Sequence, residues 1–198
     1  PAPLFFLMIR RPPRSTQGVS SASSDVDKRQ VYNYGLSESL NPRLCDRIYE
    51  NISVQNRGES DISGRSTEMN LHEQNIKEVD LLITWIRNIL PEVSTKFASR
   101  GEESSYGYNM NAFKIVDCWG LTYNKGESLV EHCHFPFTLS FVYAVRIPRG
   151  SSPLWIENKK VKMKEGECVF FLSSSFHKVK RNNCDGRTMI VGNILYSP

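Results

Sequence analysis

Two of the chain's four histidines stand two apart, in the stretch Gly126-Glu127-Ser128-Leu129-Val130-Glu131-His132-Cys133-His134, and a third, His177, follows Phe176 much later. On a β-strand, side chains at i and i+2 point to one face, about 7 Å apart at Cα, so two imidazoles can converge on one small object. Histidine is the commonest transition-metal ligand, and a third imidazole from a neighbouring strand would leave coordination positions open for other molecules. The pattern marks His132, His134 and His177 as a candidate metal site. An H-x-H pair alone is a weak signal, since such pairs also occur on solvated strands. Glu131 belongs to the opposite face of the strand and is not expected to be a ligand, and Cys133 should face away from the histidines as a packed thiol. His72 has no partner at useful spacing and reads as a surface residue.

The elements that must position these residues are β-rich beyond residue 112. Apolar or alternating runs at 113–123, 128–134, 139–147, 153–156, 161–163, 167–172, 177–179 and 188–196 are separated by turn signals such as Asn124-Lys125-Gly126, Pro148-Arg149-Gly150, Glu165-Gly166 and Cys184-Asp185-Gly186. About eight short strands at regular spacing indicate a jelly roll, or double-stranded β-helix. Ahead of them Asn41-Pro42 reads as the cap and first turn of a helix over 42–52, with Leu44, Ile48 and Ile52 at helical spacing. Residues 56–70 lack apolar periodicity and read as a loop. Ile76, Val79, Ile83, Ile86 and Leu90 then form the stripe of an amphipathic helix, which Pro91 is expected to interrupt before a second helical piece over 92–100. The class is α+β: helical support over 31–112 buttressing a jelly-roll core over 113–198 in a single domain.

At 198 residues, with 39% apolar and 23% charged residues, the chain has the size and composition of one soluble domain. No stretch is long enough for a membrane span. Residues 1–30 hold Arg10, Arg11, Arg14, Lys28 and Arg29 against Asp25 and Asp27, which accounts for +3 of the net charge of +4. The remainder carries only +1, so a phosphate-binding footprint is not supported and no nucleic-acid partner is expected. The cysteines (45, 118, 133, 168 and 184) are odd in number and scattered, which points to free thiols in a reducing, cytoplasmic setting. Leu4 to Ile9 is too short for a span, and its arginines follow the apolar run where a secretory signal needs them to precede it. The words FFLMIRRPPRSTQGVSSASSDV and KRQ resemble translated sequencing-adapter read-through, so residues 1–30 are left out of the fold reading. A genuine Ser-rich disordered leader would have a similar composition.

Gly126, five residues and then H-x-H resembles the first half of the cupin metal motif, and Gly166, ten residues and then His177 resembles its second half. The carboxylate of that motif is missing, because Phe137-Thr138-Leu139 occupies its place. The ordered set WGLTYNKGESLVEHCHFPFTLSFVYAVRIP, PLWI, KEGECVFFLSSSFHKV and GRTMIVGNI is similar to Fe(II)- and 2-oxoglutarate-dependent oxygenase families over roughly 113–195. The matched residues are Trp119, Gly126, His132 and His134 with Pro136, Leu139-Ser140 with Tyr143, Gly166 with Phe170-Phe171, His177, Arg187 and Asn193. The resemblance implies Fe(II) held by the three histidines, 2-oxoglutarate as cosubstrate and dioxygen as co-reactant in hydroxylating a substrate C–H bond. It also implies that Arg187, ten residues after His177, anchors the far carboxylate of 2-oxoglutarate through its planar fork. Tyr123, Tyr143 and Asn193 are candidate cosubstrate contacts. His134 departs from the family's usual Asp or Glu, leaving the metal site one charge more positive. Two alternatives stand: a cupin-like three-histidine metalloprotein without 2-oxoglutarate, and a non-catalytic jelly-roll binding module. The substrate would be set by loops at 101–112 and 149–165.

Overall fold

The computed structural model describes residues 29–56, 62–98 and 112–197. Their order is β1 (Arg29–Asn33), α1 (Ser37–Glu50), β2 (Val54–Asn56), β3 (Ile62–Ser66), a 3-10 turn (Leu71–Glu73), α2 (Lys77–Ala98), β4 (Phe113–Tyr123), β5 (Ser128–His132), β6 (Leu139–Arg146), β7 (Leu154–Ile156), β8 (Lys159–Val161), β9 (Glu167–Leu172), β10 (His177–Val179) and β11 (Arg187–Tyr196). The strands follow the spatial order β1-β9-β6-β11-β4-β3-β5-β10-β7-β8, with β2 added to β3. Strand β3 pairs with β4 through Arg65 and Ser66 and with β5 through Ile62 and Ser63. It thereby carries the sheet from a larger half round to a smaller one, and the curled antiparallel sheet is a double-stranded β-helix.

The pleat gives each long strand two destinations. Cys118 of β4, Phe141, Tyr143 and Val145 of β6, Cys168 and Phe170 of β9, and Ile190 and Ile194 of β11 join one apolar cluster with α1 and α2. Trp119, Leu121 and Tyr123 of β4, Val142 and Ala144 of β6, Val169 and Phe171 of β9 and Met189 of β11 join a second cluster between the two halves of the sheet. The helices supply Leu44, Ile48, Val79, Leu82, Ile83 and Ile86, all nearly inaccessible, each worth about 1.5–3 kcal/mol of burial. At Gly120 the close approach of α1 requires glycine: a Cβ there would meet the Ile48 side chain at 2.8 Å.

Several expectations change. Helix α1 begins at Ser37, so Pro42 lies inside it and Asn41 is not its cap. The Asn41 side chain is committed to the sheet instead, donating to the carbonyls of Val145 (2.9 Å) and Ala144 (3.3 Å) and accepting from the Tyr143 hydroxyl (2.7 Å). Helix α2 runs unbroken through Pro91. The lost hydrogen bond and ring clash cost about 3 kcal/mol, which burial of Leu90 and Val93 on either side offsets at about 1.5–3 kcal/mol each. Strand β1 starts inside the stretch left out of the fold reading: Arg29 and Gln30 pair with Phe171 and Phe170, and buried Gln30 donates to the Val93 carbonyl at 3.1 Å. Residues 1–28 lie outside the described ones. The expected loop at 56–70 contains β3, which pairs with β2 just ahead of it. His72 is no surface residue, since its side chain is only 5% exposed and burial lowers its pKa. No described helix is long and apolar enough to cross a membrane.

Tyr143→Phe is expected to destabilise the protein by about 1–2 kcal/mol, by stripping Asn41 of a buried hydrogen bond. Metal affinity should stay unchanged because the hydroxyl faces the helices. Urea unfolding and a metal titration read the two effects separately.

Candidate metal centre

Strand β5 ends on His132 and β10 begins with His177, and the two are register partners whose rings lie 4.2 Å apart between centroids. His134 lies just beyond the strand, so the expected strand over 128–134 stops two residues early. Its amide instead donates to the Ser173 carbonyl at 2.8 Å, and its own carbonyl accepts from Phe137 N–H at 3.0 Å. This turn brings the His134 ring alongside the other two, stacked on His177 (centroids 4.9 Å, 17°) and on Trp119 (5.9 Å, 29°). The Nε2 atoms converge: 3.1 Å from His132 to His134 and 3.2 Å from His134 to His177.

The tautomers follow from the partners of the other ring nitrogens. His132 Nδ1 lies 2.9 Å from the Val130 carbonyl and His177 Nδ1 lies 3.2 Å from the Ser175 carbonyl. A carbonyl can only accept, so both Nδ1 atoms carry the proton and both Nε2 lone pairs point into the cluster. Burial, then the neighbouring His132, pushes His134 down to about 3. Burial first, then His132 and His134, holds His177 well below the ordinary range. Neutral imidazoles with converging lone pairs repel unless a shared cation lies between them, and this donor set fits one divalent transition metal. Among the described residues, His132, His134 and His177 form a group that could hold a metal ion.

The cavity in front of the histidines is walled by Trp119, Leu121, Val142, Phe171 and Met189 and also reaches Ser140, Tyr123 and Arg187. Arg187 is 2% exposed, and no carboxylate among the described residues forms an ion pair with it; its Nε has no hydrogen-bond partner. Its nearest companion is Tyr123, the register partner across β4, whose ring centroid is 5.0 Å from Cζ. Burial lowers the Arg187 pKa and pushes Tyr123 up to about 12, so the phenol keeps its proton as a donor.

Two of the sequence candidates do not reach this cavity. Tyr143 belongs to the helix-facing side of β6, with its hydroxyl given to Asn41. Asn193 is buried with its amide spent: Oδ1 accepts from Ser140 Oγ at 3.0 Å and Nδ2 donates to Asp117 at 3.1 Å. It acts on the cavity only through Ser140. Glu131 forms an ion pair with Lys178 at 3.1 Å on the outer face, and Cys133 is buried away from the cavity lining. Sequence reasoning missed the Ser140–Asn193–Asp117 chain and the stacking role of Trp119. The second was readable, since Trp119 shares strand parity with Leu121 and Tyr123.

No protein-family model matches the chain, and no curated protein matches it. Solved structures match its fold. A viral collagen prolyl hydroxylase from Paramecium bursaria Chlorella virus-1, described as a 2-oxoglutarate complex, superposes with a TM-score of 0.62 at 12% identity, covering 86% of this chain and 97% of that one. A Pseudomonas putida prolyl-4-hydroxylase gives 0.62 at 12%, over 87% and 95%. The non-heme α-ketoglutarate-dependent epimerase SnoN of nogalamycin biosynthesis gives 0.63 at 11%, over 87% and 81%. These neighbours are 2-oxoglutarate and Fe(II) oxygenases, and at such identities the shared property is the jelly-roll fold.

Because the folded pKa of His134 lies below its unfolded value of about 6.5, the folded state disfavours the protonated ring. The stability tied to it is fully present above about 6.5 and is lost as pH falls towards 3. The melting temperature of metal-free protein should therefore drop between about pH 6.5 and 5, before most carboxylates titrate. A smaller drop is expected for His134→Asn.

Proposed function

We propose that this protein is an Fe(II)- and 2-oxoglutarate-dependent dioxygenase that hydroxylates a substrate C–H bond. The observation that carries the reading is a buried guanidinium, with no counter-charge among the described residues, in the same cavity as three imidazoles whose Nε2 atoms converge. A desolvated cation is costly unless an anion reaches it. A cupin-like centre without cosubstrate gives Arg187 nothing to bind, and a non-catalytic module gives the histidines no reason to converge.

In this reading His132, His134 and His177 hold the iron through Nε2, with Val130 and Ser175 carbonyls fixing two of the rings. When bound, iron and 2-oxoglutarate supply the oxidising chemistry, with dioxygen as co-reactant and succinate as coproduct. Arg187 takes the far carboxylate through two of its N–H groups, and Tyr123 stands beside it as a second donor. Leu121, Val142, Phe171 and Met189 exclude water from the cavity, which strengthens each polar contact inside it. Ser140 is held by Asn193 as part of the wall. His134 in place of a carboxylate leaves the charge of the metal undiminished by the protein.

Arg187→Ala should weaken anaerobic 2-oxoglutarate binding to the Fe(II)-loaded protein by about 2–4 kcal/mol, tens to about a thousandfold in affinity. Arg187→Lys should restore part of it. Arg187→Met should leave the ligand-free protein as stable as wild type or more so, because it removes a buried unpaired charge. Fe(II) binding should persist in all three, and succinate formation in air should follow cosubstrate affinity. Equal affinity in wild type and Arg187→Ala would reject the anchor. His134→Asp should retain Fe(II) more tightly than wild type, measured by competition with a chelator.

A further inference from the structure

The whole-chain charge conceals a segregation. Residues 149–181 carry eight Lys or Arg against three Glu, whereas residues 31–148 carry eleven against fifteen acidic residues. The acids of the basic segment are spent on the fold: Glu157 accepts from Phe176 N–H at 2.8 Å, Glu165 from Ile147 N–H at 2.7 Å and Glu167 from Lys164 N–H at 2.8 Å. Lys160, Lys178 and Lys180 gather around Trp155 on the outer face of the smaller half-sheet, with Lys178 paired to Glu131. Trp155 of β7 is the register partner of both Lys160 on β8 and Lys178 on β10, so the three share a face, while Leu154, Ile156, Val161 and Val179 point inward. Lys180 Nζ lies 4.3 Å from the Trp155 ring centroid. Lys160, Lys162 and Lys180 are exposed and form no ion pair among the described residues.

The geometry points to this face as a docking surface for single-stranded nucleic acid. Cations on strands about 4.8 Å apart track a phosphate backbone, and an indole among them offers a base a surface to stack on. An acidic peptide would use the lysines without needing the ring. The surface lies on the outside of the strand that carries His177, and it stands whether or not the oxygenase reading holds.

The test is fluorescence anisotropy of fluorescein-labelled oligothymidylate, about 16 nucleotides long, titrated with the full chain. Binding at low salt is expected, weakening with salt at a log–log slope of about −0.7 per phosphate contacted. Joint Lys160→Glu, Lys162→Glu and Lys180→Glu should weaken it at least about tenfold, with circular dichroism and melting temperature checking the fold. Trp155→Ala should weaken it and Trp155→Phe should restore it in part. Absence of binding at low salt overturns the proposal. Binding that survives the triple reversal also overturns it, and would assign the contact to the Arg10, Arg11 and Arg14 segment. Equal competition by polyglutamate, with no effect of Trp155→Ala, replaces nucleic acid with an acidic protein as the partner.

Discussion

The pleat of β4, β6, β9 and β11 is the constraint on which the molecule depends. Every second residue of these strands is committed to the helices and every other one to the cavity, so neither face can be altered by a shift in register without inverting both. Apolar side chains fill most of the helix side, and its polar groups are paired: Asn41 with Tyr143, Gln30 with the Val93 carbonyl and Tyr49 with Thr122. The opposite side carries Trp119, Tyr123 and Arg187. The helices make the sheet rigid enough to hold polar groups apart in a dry space, and the smaller half-sheet closes over them with two of the histidines.

The cavity's electrostatics follow from that enclosure. Desolvation favours neutral imidazoles, and among the described residues no carboxylate pairs with the Arg187 guanidinium, so the cavity suits both a cation and an anion. The two groups come from different strands, His132 and His177 facing each other across β5 and β10 and Arg187 at the start of β11, and all three line one cavity.

Much of this was legible in the chain. The eight strands after residue 112 were readable almost residue for residue, because their apolar alternation is bounded by Gly and Pro turns. The exceptions are physical. Strand β8 begins two residues earlier than its apolar residues suggest, since Glu157 and Asn158 take positive φ values (46° and 64°) in a two-residue turn without glycine. Strands β1, β2 and β3 are polar or short, and the partners of β1 on β9 and of β3 on β4 lie far away in sequence, so no apolar alternation announces them. Asn41-Pro42 looks like a helix start because both residues favour one, but tertiary hydrogen bonds took the Asn. Spacing and resemblance singled out the histidines and Arg187, which the fold brings to one cavity. Tyr143 was misplaced because its type fits a cosubstrate contact, whereas strand parity with Phe141 and Val145 puts it on the other face.

Gly120 lies between Trp119 and Leu121 on β4, with Ile48 of α1 pressed against its backbone. Trp119 in turn stacks on the His134 ring. The helix surface and the His134 ring are thus separated by a single residue step along β4, so the packing of α1 and the seat of that ring constrain one another. Second-site suppressors of substitutions at His134 or Trp119 would then arise around Ile48, on a helix that never touches the cavity.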